Sequence, residues 1–488
     1  MTEAAVRLAA GVAAMGEILA RTYGPGAAPV LVGDHGKPEL ITEAAVLARR
    51  LTALGDPKLH PGAMALREAC LGVRRRCGDG AATVAVLARE LVASATRLVV
   101  AGADPGRLRR GIDRGVDVCC AALASASELV AGRAALAGLA FGAGQDHEVA
   151  EVIAEVCEAL GDRVALVLEE RAGPGLEAAF VDGARWRAAQ SVPDLVALPA
   201  GEAVTLHDPL VILADETVRE AAEVVPALEL GLVARRSVLL ITRGLEGAAR
   251  AAVLANRHRL SVVPARLTEL GEQLPAHLGD LALLTGATPL GDLVGRPLRS
   301  VREADCGTAR RAQLTRAHLT LTRGGGDPAT IRATADRLAA HTTTVDPGGD
   351  AWSVLRQRRA RLSGSQAVII VGGVTECDRT ARIEAVRSSQ RVVELALAGG
   401  VVAGGGTALR DAAGAVRAAR GSCDSDEEAW GLSAIADALS APARRIGPSG
   451  GAVILDPVGV LIGAVRAAGS LAGSVITTAA VLPYRRAS

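Results

Sequence analysis

The sequence predicts a multidomain α plus α/β protein, with helical segments from both chain ends enclosing an inserted α/β stretch. Three observations carry this reading. Apolar residues recur at helical spacing over the first 125 residues. Short β-rich runs alternate with helical-period segments through the middle. From Val401 onward the chain reads as helical and glycine-rich again.

Leu8, Val12, Met15 and Leu19 form one helical stripe, which stops at Gly24-Pro25-Gly26. Val30–Val32 is a short extended run. Val84, Leu87, Leu91 and Leu98 mark a second helix, and Leu108, Ile112, Val116 and Leu123 a third. In the middle, Val164–Leu168, Leu210–Leu213, Ser237–Thr242 and Leu260–Val263 read as strands. Helical Val218–Leu232 and Glu246–His258 lie between them. Clusters at Gly324–Pro328 and Pro347–Asp350 mark loops. Gln366–Val371 is a strand candidate before a helix near Ala385–Leu397, and Ser422–Glu428 reads as an acidic loop. The basic run Arg356–Arg361 reads as a solvated face without aromatic company.

A length of 488 residues allows roughly three domains. Apolar residues make up 50%, but only two Phe, two Tyr and three Trp are present, and the formal charge is +1. So neutral a chain, with so few stacking rings, does not fit a nucleic-acid binder. The only lysines, Lys37 and Lys58, lie outside any G-x-x-x-x-G-K-[ST] loop. Eight cysteines are scattered with no C-x-x-C pair, and the eight histidines form no zinc pattern. Glu3 and Glu17 around the first stripe argue against a signal peptide. The last apolar stretch, Leu471 to Leu482, is too short to cross a bilayer. The expectation is a soluble cytoplasmic chain with no nucleic-acid or membrane partner.

The sharpest local feature is Gly78-Asp79-Gly80-Ala81-Ala82-Thr83, directly before a helix. Small residues let backbone N–H groups approach an anion at a helix start, and an aspartate there can hold Mg²⁺ against phosphate oxygens. The alternative is a turn whose aspartate caps the helix. Gly24-Pro25-Gly26 reads by itself as a helix stop. Val401–Gly406 runs from an apolar stretch into a helix and could cradle a phosphate. It lacks the third glycine of G-x-G-x-x-G, which leaves a dinucleotide dehydrogenase reading weak. Asp456 in Ile454-Leu455-Asp456-Pro457 either meets a ribose hydroxyl or caps the next helix.

Taken in order, these pieces resemble the group I chaperonins, the GroEL-like sixty-kilodalton family. Ala101-Gly102-Ala103-Asp104-Pro105 and Leu108-Arg109-Arg110-Gly111-Ile112-Asp113 are similar to the family's A-A-G-x-N-P-x-x-L-K-R-G-I-D. Gly78-Asp79-Gly80 stands where the family has G-D-G-T-T-T, and Thr22-Tyr23-Gly24-Pro25 where it has T-L-G-P. Gly400–Gly406 is similar to G-V-V-A-G-G-G, and Ile454–Pro457 to I-L-D-P. Leu213-Ala214-Asp215, Leu284-Thr285-Gly286 and Ile476-Thr477-Thr478 match further.

The resemblance implies a chaperonin fold. An equatorial nucleotide-binding domain would span 1–125 and 400–488. A small intermediate hinge domain would take 126–181 and 366–399, and an inserted α/β apical domain 182–365. It also implies ATP and Mg²⁺ as cofactors, with Asp79 as metal ligand. Thr22, Tyr23, Gly24, Pro25, Gly80, Ala81, Ala82, Thr83, Gly405 and Asp456 would stand around the nucleotide. Non-native polypeptide would bind apolar Val225, Leu228 and Leu254. A lid co-chaperonin and a homo-oligomeric or mixed ring are the other implied partners.

Departures from the family pattern predict little ATP turnover. T-K-D-G is here Thr42-Glu43-Ala44-Ala45, so a phosphate-pairing lysine is an acid and an aspartate is Ala44. Ala81 and Ala82 lack threonine hydroxyls, and ungapped alignment puts Ser388 at the family's helix aspartate. Activation of water and placement of the metal both need such carboxylates. R-G-Y-L-S-P-Y-F becomes Arg187–Asp194 without its rings, Arg250 replaces a leucine, and the N-terminal pairing strand is missing. The competing expectation is a non-hydrolysing structural paralogue that joins standard rings or scaffolds one client.

Overall fold

A computed structural model describes residues 2–24, 28–33, 38–161, 165–171, 173–192, 202–268, 273–446 and 454–481. Pro25, Pro193 and Asp194 lie outside the described residues. The chain divides into two units. The first comprises Met1–Asp162, Arg171–Leu176 and Val371–Ser488, and the second Arg163–Glu170 and Glu177–Ile370.

The first unit is helical. It opens with α1 (Thr2–Leu19), β1 (Val30–Val32), β2 (Glu39–Ile41), α2 (Ala44–Arg50), α3 (His60–Cys77), α4 (Ala81–Val100), α5 (Pro105–Ser125), α6 (Arg133–Gly144) and α7 (His147–Leu160). After the second unit it resumes with α13 (Glu376–Gly399), β16 (Val401–Ala403), α14 (Thr407–Ala418), α15 (Asp426–Leu439), α16 (Ala441–Ile446), β17 (Leu455–Pro457) and α17 (Val458–Thr477). The stripe Leu8, Val12, Met15, Leu19 is buried, as are Val84, Leu87 and Leu91 on α4 and Leu108, Ile112 and Leu123 on α5. Glycine lets α1 and α3 touch backbone to backbone: a Cβ on Gly11 would stand 2.1 Å from the Leu59 carbonyl oxygen.

Two expectations fail here for readable reasons. The acidic run ending at Glu428 is no loop throughout: Ser425 accepts the Glu428 amide at 3.2 Å and caps α15. Asp426, Glu427 and Glu428 then fill its first turn, where the helix dipole favours acids. The last apolar stretch begins earlier than Leu471, because α17 starts at Val458. By length and composition it could cross a membrane, but 61% of it is buried, against α3, α4 and α5. It is a core helix.

The second unit holds β3 (Ala165–Glu170), β5 (Ala184–Gln190), β6 (Val204–His207), β7 (Leu210–Asp215), β8 (Thr217–Val218), β9 (Val238–Ile241), β10 (Gly244–Leu245), β11 (Val262–Leu267), β12 (Leu290–Gly291), β13 (Gly307–Leu314) and β14 (His318–Gly324). Strands β4 (Gly173–Phe180) and β15 (Gln366–Gly373) carry the chain from one unit into the other. Helices α8 (Ala221–Ala234), α9 (Gly247–Asn256), α10 (Leu274–Thr285), α11 (Pro328–Thr342) and α12 (Asp350–Ser363) complete it. The main sheet runs β12-β7-β9-β11-β5-β14-β13-β6, and pairing of β13 with β7 closes the order on itself.

Alternation along the strands sorts two cores. Val211, Leu213, Leu239, Ile241, Val263 and Ala265 join Trp186 and α10, whereas Leu210, Ile212, Val238, Leu240 and Val262 join α8 and α9.

The basic run on α12 is not a solvated face. Arg356 and Arg361 are buried. Arg356 lies over the Trp352 ring at 4.8 Å, one helical turn away, so an aromatic does accompany it. Arg358 grips Asp280 of α10 through Nη2 at 2.8 Å and Nε at 3.0 Å.

Candidate functional site

Four backbone segments of the first unit converge: the turn after α1, the α3–α4 turn, the β16–α14 turn and β17. The pairing of β16 with β17 sets Val402 opposite Asp456, and the Gly404 amide donates to the Ile454 carbonyl at 2.8 Å. A Cβ on Gly404 would lie 2.7 Å from Ile454 Cγ2, so the turn must be bare to sit this close. The Gly405 amide then donates to the Asp456 carboxylate.

Asp456 does not cap α17. Pro457 holds that position and no side chain caps the helix. Burial, joined by the negative charge of Asp79, pushes the Asp456 carboxyl up to about 6, against the pull of the Gly405 amide.

Nor does Asp79 cap α4. The cap is Gly80, at φ 96°, with no side-chain bond to the first turn, so the N-terminal amides of α4 stay open toward an anion. Asp79 reaches solvent, yet surrounding protein raises its carboxyl; Arg74 and the Gly80 amide act in the other direction.

Tyr23 is brought in from the end of α1. Its hydroxyl hydrogen-bonds Thr83, and burial with the charges of Asp456 and Asp79 pushes its pKa up. Thr83 and Ala81 are buried, and Ala82 half-buried, at the start of α4. Gly24 adopts φ 85° beside Ile446. Thr22 stays local, donating to the Leu19 carbonyl at 2.8 Å. Thus Tyr23, Asp79, Thr83, Gly405 and Asp456 share one neighbourhood, while the Thr22 hydroxyl serves its own helix end.

One residue escaped the sequence reading. Arg74, on the last turn of α3, donates to the Gly78 carbonyl at 2.6 Å and to the Ala143 carbonyl at 3.2 Å. It also binds Glu43 Oε2 at 2.9 Å. Its charge draws down both Glu43 and Asp79, although burial holds Glu43 raised on balance. A cation one helical turn before the Gly-Asp-Gly turn was the available sequence sign.

Ser388 of α13 is buried, and a Cβ on Gly78 would fall 2.5 Å from its carbonyl oxygen. So α13 does press on the phosphate-like turn, with a serine at the contact. Ala44 is buried at the start of α2. Among the described residues, no group of three His, Cys, Asp or Glu side chains could hold a metal. A divalent ion here would take Asp79 and otherwise ligand or water oxygens. That donor set fits Mg²⁺ only together with a phosphate.

Residues 15–171 match the TCP-1/cpn60 chaperonin family. The chain is also similar to the chaperonin gp146 from the bacteriophage EL 2 (Pseudomonas aeruginosa), determined in presence of ATP-BeFx. Identity is 16% over 97% of each chain, with a TM-score of 0.75 for crystal form I and 0.64 for form II. The chain has the chaperonin fold.

Within the chaperonin fold, the three residues expected to meet polypeptide occupy α8 and α9 of the second unit. Val225 is 36% exposed, and Leu254 is partly buried against the underlying core. Leu228, expected at the surface, is only 3% exposed. It points under α8 onto the sheet because Val224, Ala227, Leu228 and Gly231 form the inward helical stripe. Val233, 84% exposed, is an apolar surface residue of α8 that the sequence reading missed.

Proposed function

We propose that this chain of chaperonin fold assists protein folding by holding non-native polypeptide on the outer face of α8 and α9. In this reading it binds ATP with Mg²⁺ in the Asp79–Asp456 neighbourhood and turns it over little or not at all. The observation that supports it is electrostatic. Asp79 and Asp456 are both raised, beside open amides of α4. A metal–phosphate unit offers a cation to the acids and an anion to the amides. Mg²⁺, when bound, would neutralise phosphate charge; Asp79 would orient it, Gly405 would lie against the nucleotide and Asp456 would meet the ribose. Glu43 facing the site, with Ala44 and Ser388 where carboxylates are needed, supports weak hydrolysis.

The same proposal takes 1–125 with 400–488 as equatorial, 126–181 with 366–399 as intermediate and 182–365 as apical. It places the protein in the cytoplasm as part of a ring, of like subunits or mixed, with a lid co-chaperonin as a further partner. A second reading, a structural paralogue without a nucleotide cycle, is favoured by one feature: Arg74 is committed to Glu43 and two carbonyls. Calorimetric titration of ATP with Mg²⁺, with native mass on the same sample, separates the two. Saturable Mg²⁺-dependent binding without appreciable turnover is the expected result. No binding, in a mixed ring or with a single partner, selects the paralogue, and turnover at a standard chaperonin rate refutes the low-hydrolysis reading.

A further inference from the structure

The second unit contains a cavity of about 610 Å³ between the end of β14, the start of α11 and the end of α12. It lies on different elements from α8 and α9. Its apolar lining comes from Leu284, Leu321, Ile331, Ala335 and Leu362. Ile331, Ala335 and Leu284 border a small core of Leu338, Leu355 and Leu362, so one wall of the cavity is the open edge of that core.

The polar lining is lopsided. Arg323, Arg332, Arg359 and Arg361 face the single acid Asp336. Arg361 is already engaged, with Nη1 2.6 Å from His277 Nδ1 and Nε donating to the Arg185 carbonyl at 3.3 Å. Arg323 and Arg332 are exposed, and among the described residues, Asp336 included, neither has an ion-pair partner. Two guanidiniums at an apolar recess favour carboxylates, which they can grip with paired N–H bonds.

Arg323 is also held unusually. Its backbone sits at φ 49°, a conformation rare outside glycine. The next residue is pinned: a Cβ on Gly324 would stand 1.9 Å from the Leu284 carbonyl oxygen. The end of β14 is thus fixed against α10, and Arg323 is carried at the mouth by a fixed turn.

We infer that this cavity is a second peptide-binding site, which takes acidic–apolar segments: a leucine-sized side chain in the recess and flanking carboxylates on Arg323 and Arg332. Charge complementarity selects the occupant, since a neutral apolar segment would offer the two guanidiniums no anion and a basic one would be repelled. This goes beyond the proposed function and does not depend on nucleotide or on the α8–α9 face.

The test uses the full chain and fluorescence anisotropy with short labelled peptides of alternating Glu and Leu, Ser and Leu, or Lys and Leu. Saturable, salt-sensitive binding of the Glu/Leu peptide is expected, weakened at least about tenfold in R323E/R332E. In V225S the Glu/Leu affinity should be unchanged, whereas loss of neutral apolar peptide in V225S reports on α8 alone. Equal affinity of V225S for Ser/Leu and Glu/Leu peptides, or undiminished Glu/Leu binding to the double variant, overturns the assignment. Displacement by inorganic phosphate as effectively as by peptide also overturns it, leaving a simple anion site. Photo-crosslinking of the Glu/Leu peptide to the unaltered protein guards against misfolding of the variant. Adducts on 323–336 or 359–364 support the site, and adducts only elsewhere refute it.

Discussion

Arg74 Nη2 lies 2.9 Å from Glu43 Oε2, and the charge of Asp79 acts on the same glutamate. One arginine therefore serves two acids at the turn where a phosphate would approach. In the proposed nucleotide site Glu43 repels the ligand. E43Q keeps a hydrogen bond to Arg74 and removes the charge, so Mg²⁺–ATP should bind about 5–30-fold more tightly, a gain of about 1–2 kcal/mol. Calorimetry checks it; an unchanged or weaker affinity would show that no phosphate comes near Glu43.

D79N removes the proposed metal ligand. Nucleotide binding should lose its Mg²⁺ dependence, while the ligand-free protein should melt at a higher temperature than the unaltered chain, because a raised carboxylate has gone. Paired titrations with and without Mg²⁺, plus melting curves, test both parts. If Mg²⁺ dependence survives, Asp79 is not the ligand.

Asp456 gives a pH prediction of definite sign. Its carboxyl lies at about 6 in the folded state against an ordinary 3.8, so folding favours the protonated acid. The resulting destabilisation is complete above about pH 6 and gone below about pH 4. D456N should therefore stabilise the ligand-free protein by up to about 3 kcal/mol at pH 7. That difference should shrink to near zero by about pH 4. Urea midpoints of both proteins across that range are the measurement, and a difference independent of pH would rule out this cause.

In the second unit, Asp280 is fully buried and held by Arg358. R358A strands that carboxylate and should cost about 3–5 kcal/mol. Denaturant unfolding followed by Trp186 and Trp352 fluorescence reads it. A cost below about 1 kcal/mol would mean that Asp280 finds another partner or water.

Leu228 and Val225 should separate stability from client binding. L228A opens a cavity under α8 and should cost about 2–5 kcal/mol. V225S should leave the unfolding midpoint nearly unchanged and weaken capture of an unfolded protein. If L228A were neutral in stability and lost capture instead, the burial of this side chain would be wrong.

The helices with strong apolar stripes, α1, α4 and α5, were legible because leucine, isoleucine and valine mark their inner faces. The turns at Gly78–Gly80 and Gly404–Gly406 were legible as bare backbone before helices. That they meet was implied only by the family resemblance and not by spacing, since β16 pairs with β17 across an intervening helical stretch and the end of α1 lies hundreds of residues before both. Strand β13 was missed because its inward side chains are Ala309, Ala312 and Leu314, with Arg310 and Arg311 breaking the period between the two alanines. So weak an alternation hardly registers as a strand pattern. The α12 arginines misled because composition cannot reveal that Asp280, seventy-eight positions away, waits for one of them.

The route of α17 bears on how this chain is made. It fills the heart of the first unit, yet its partner α4 leaves the ribosome some hundreds of residues sooner. Growing from the amino end, the polypeptide must keep sticky faces of α4 and α5 uncovered throughout synthesis of the intervening unit. The stretch from Glu177 to Ile370 is continuous and can settle first. A protein with the fold of a folding helper is thus itself a demanding client at birth.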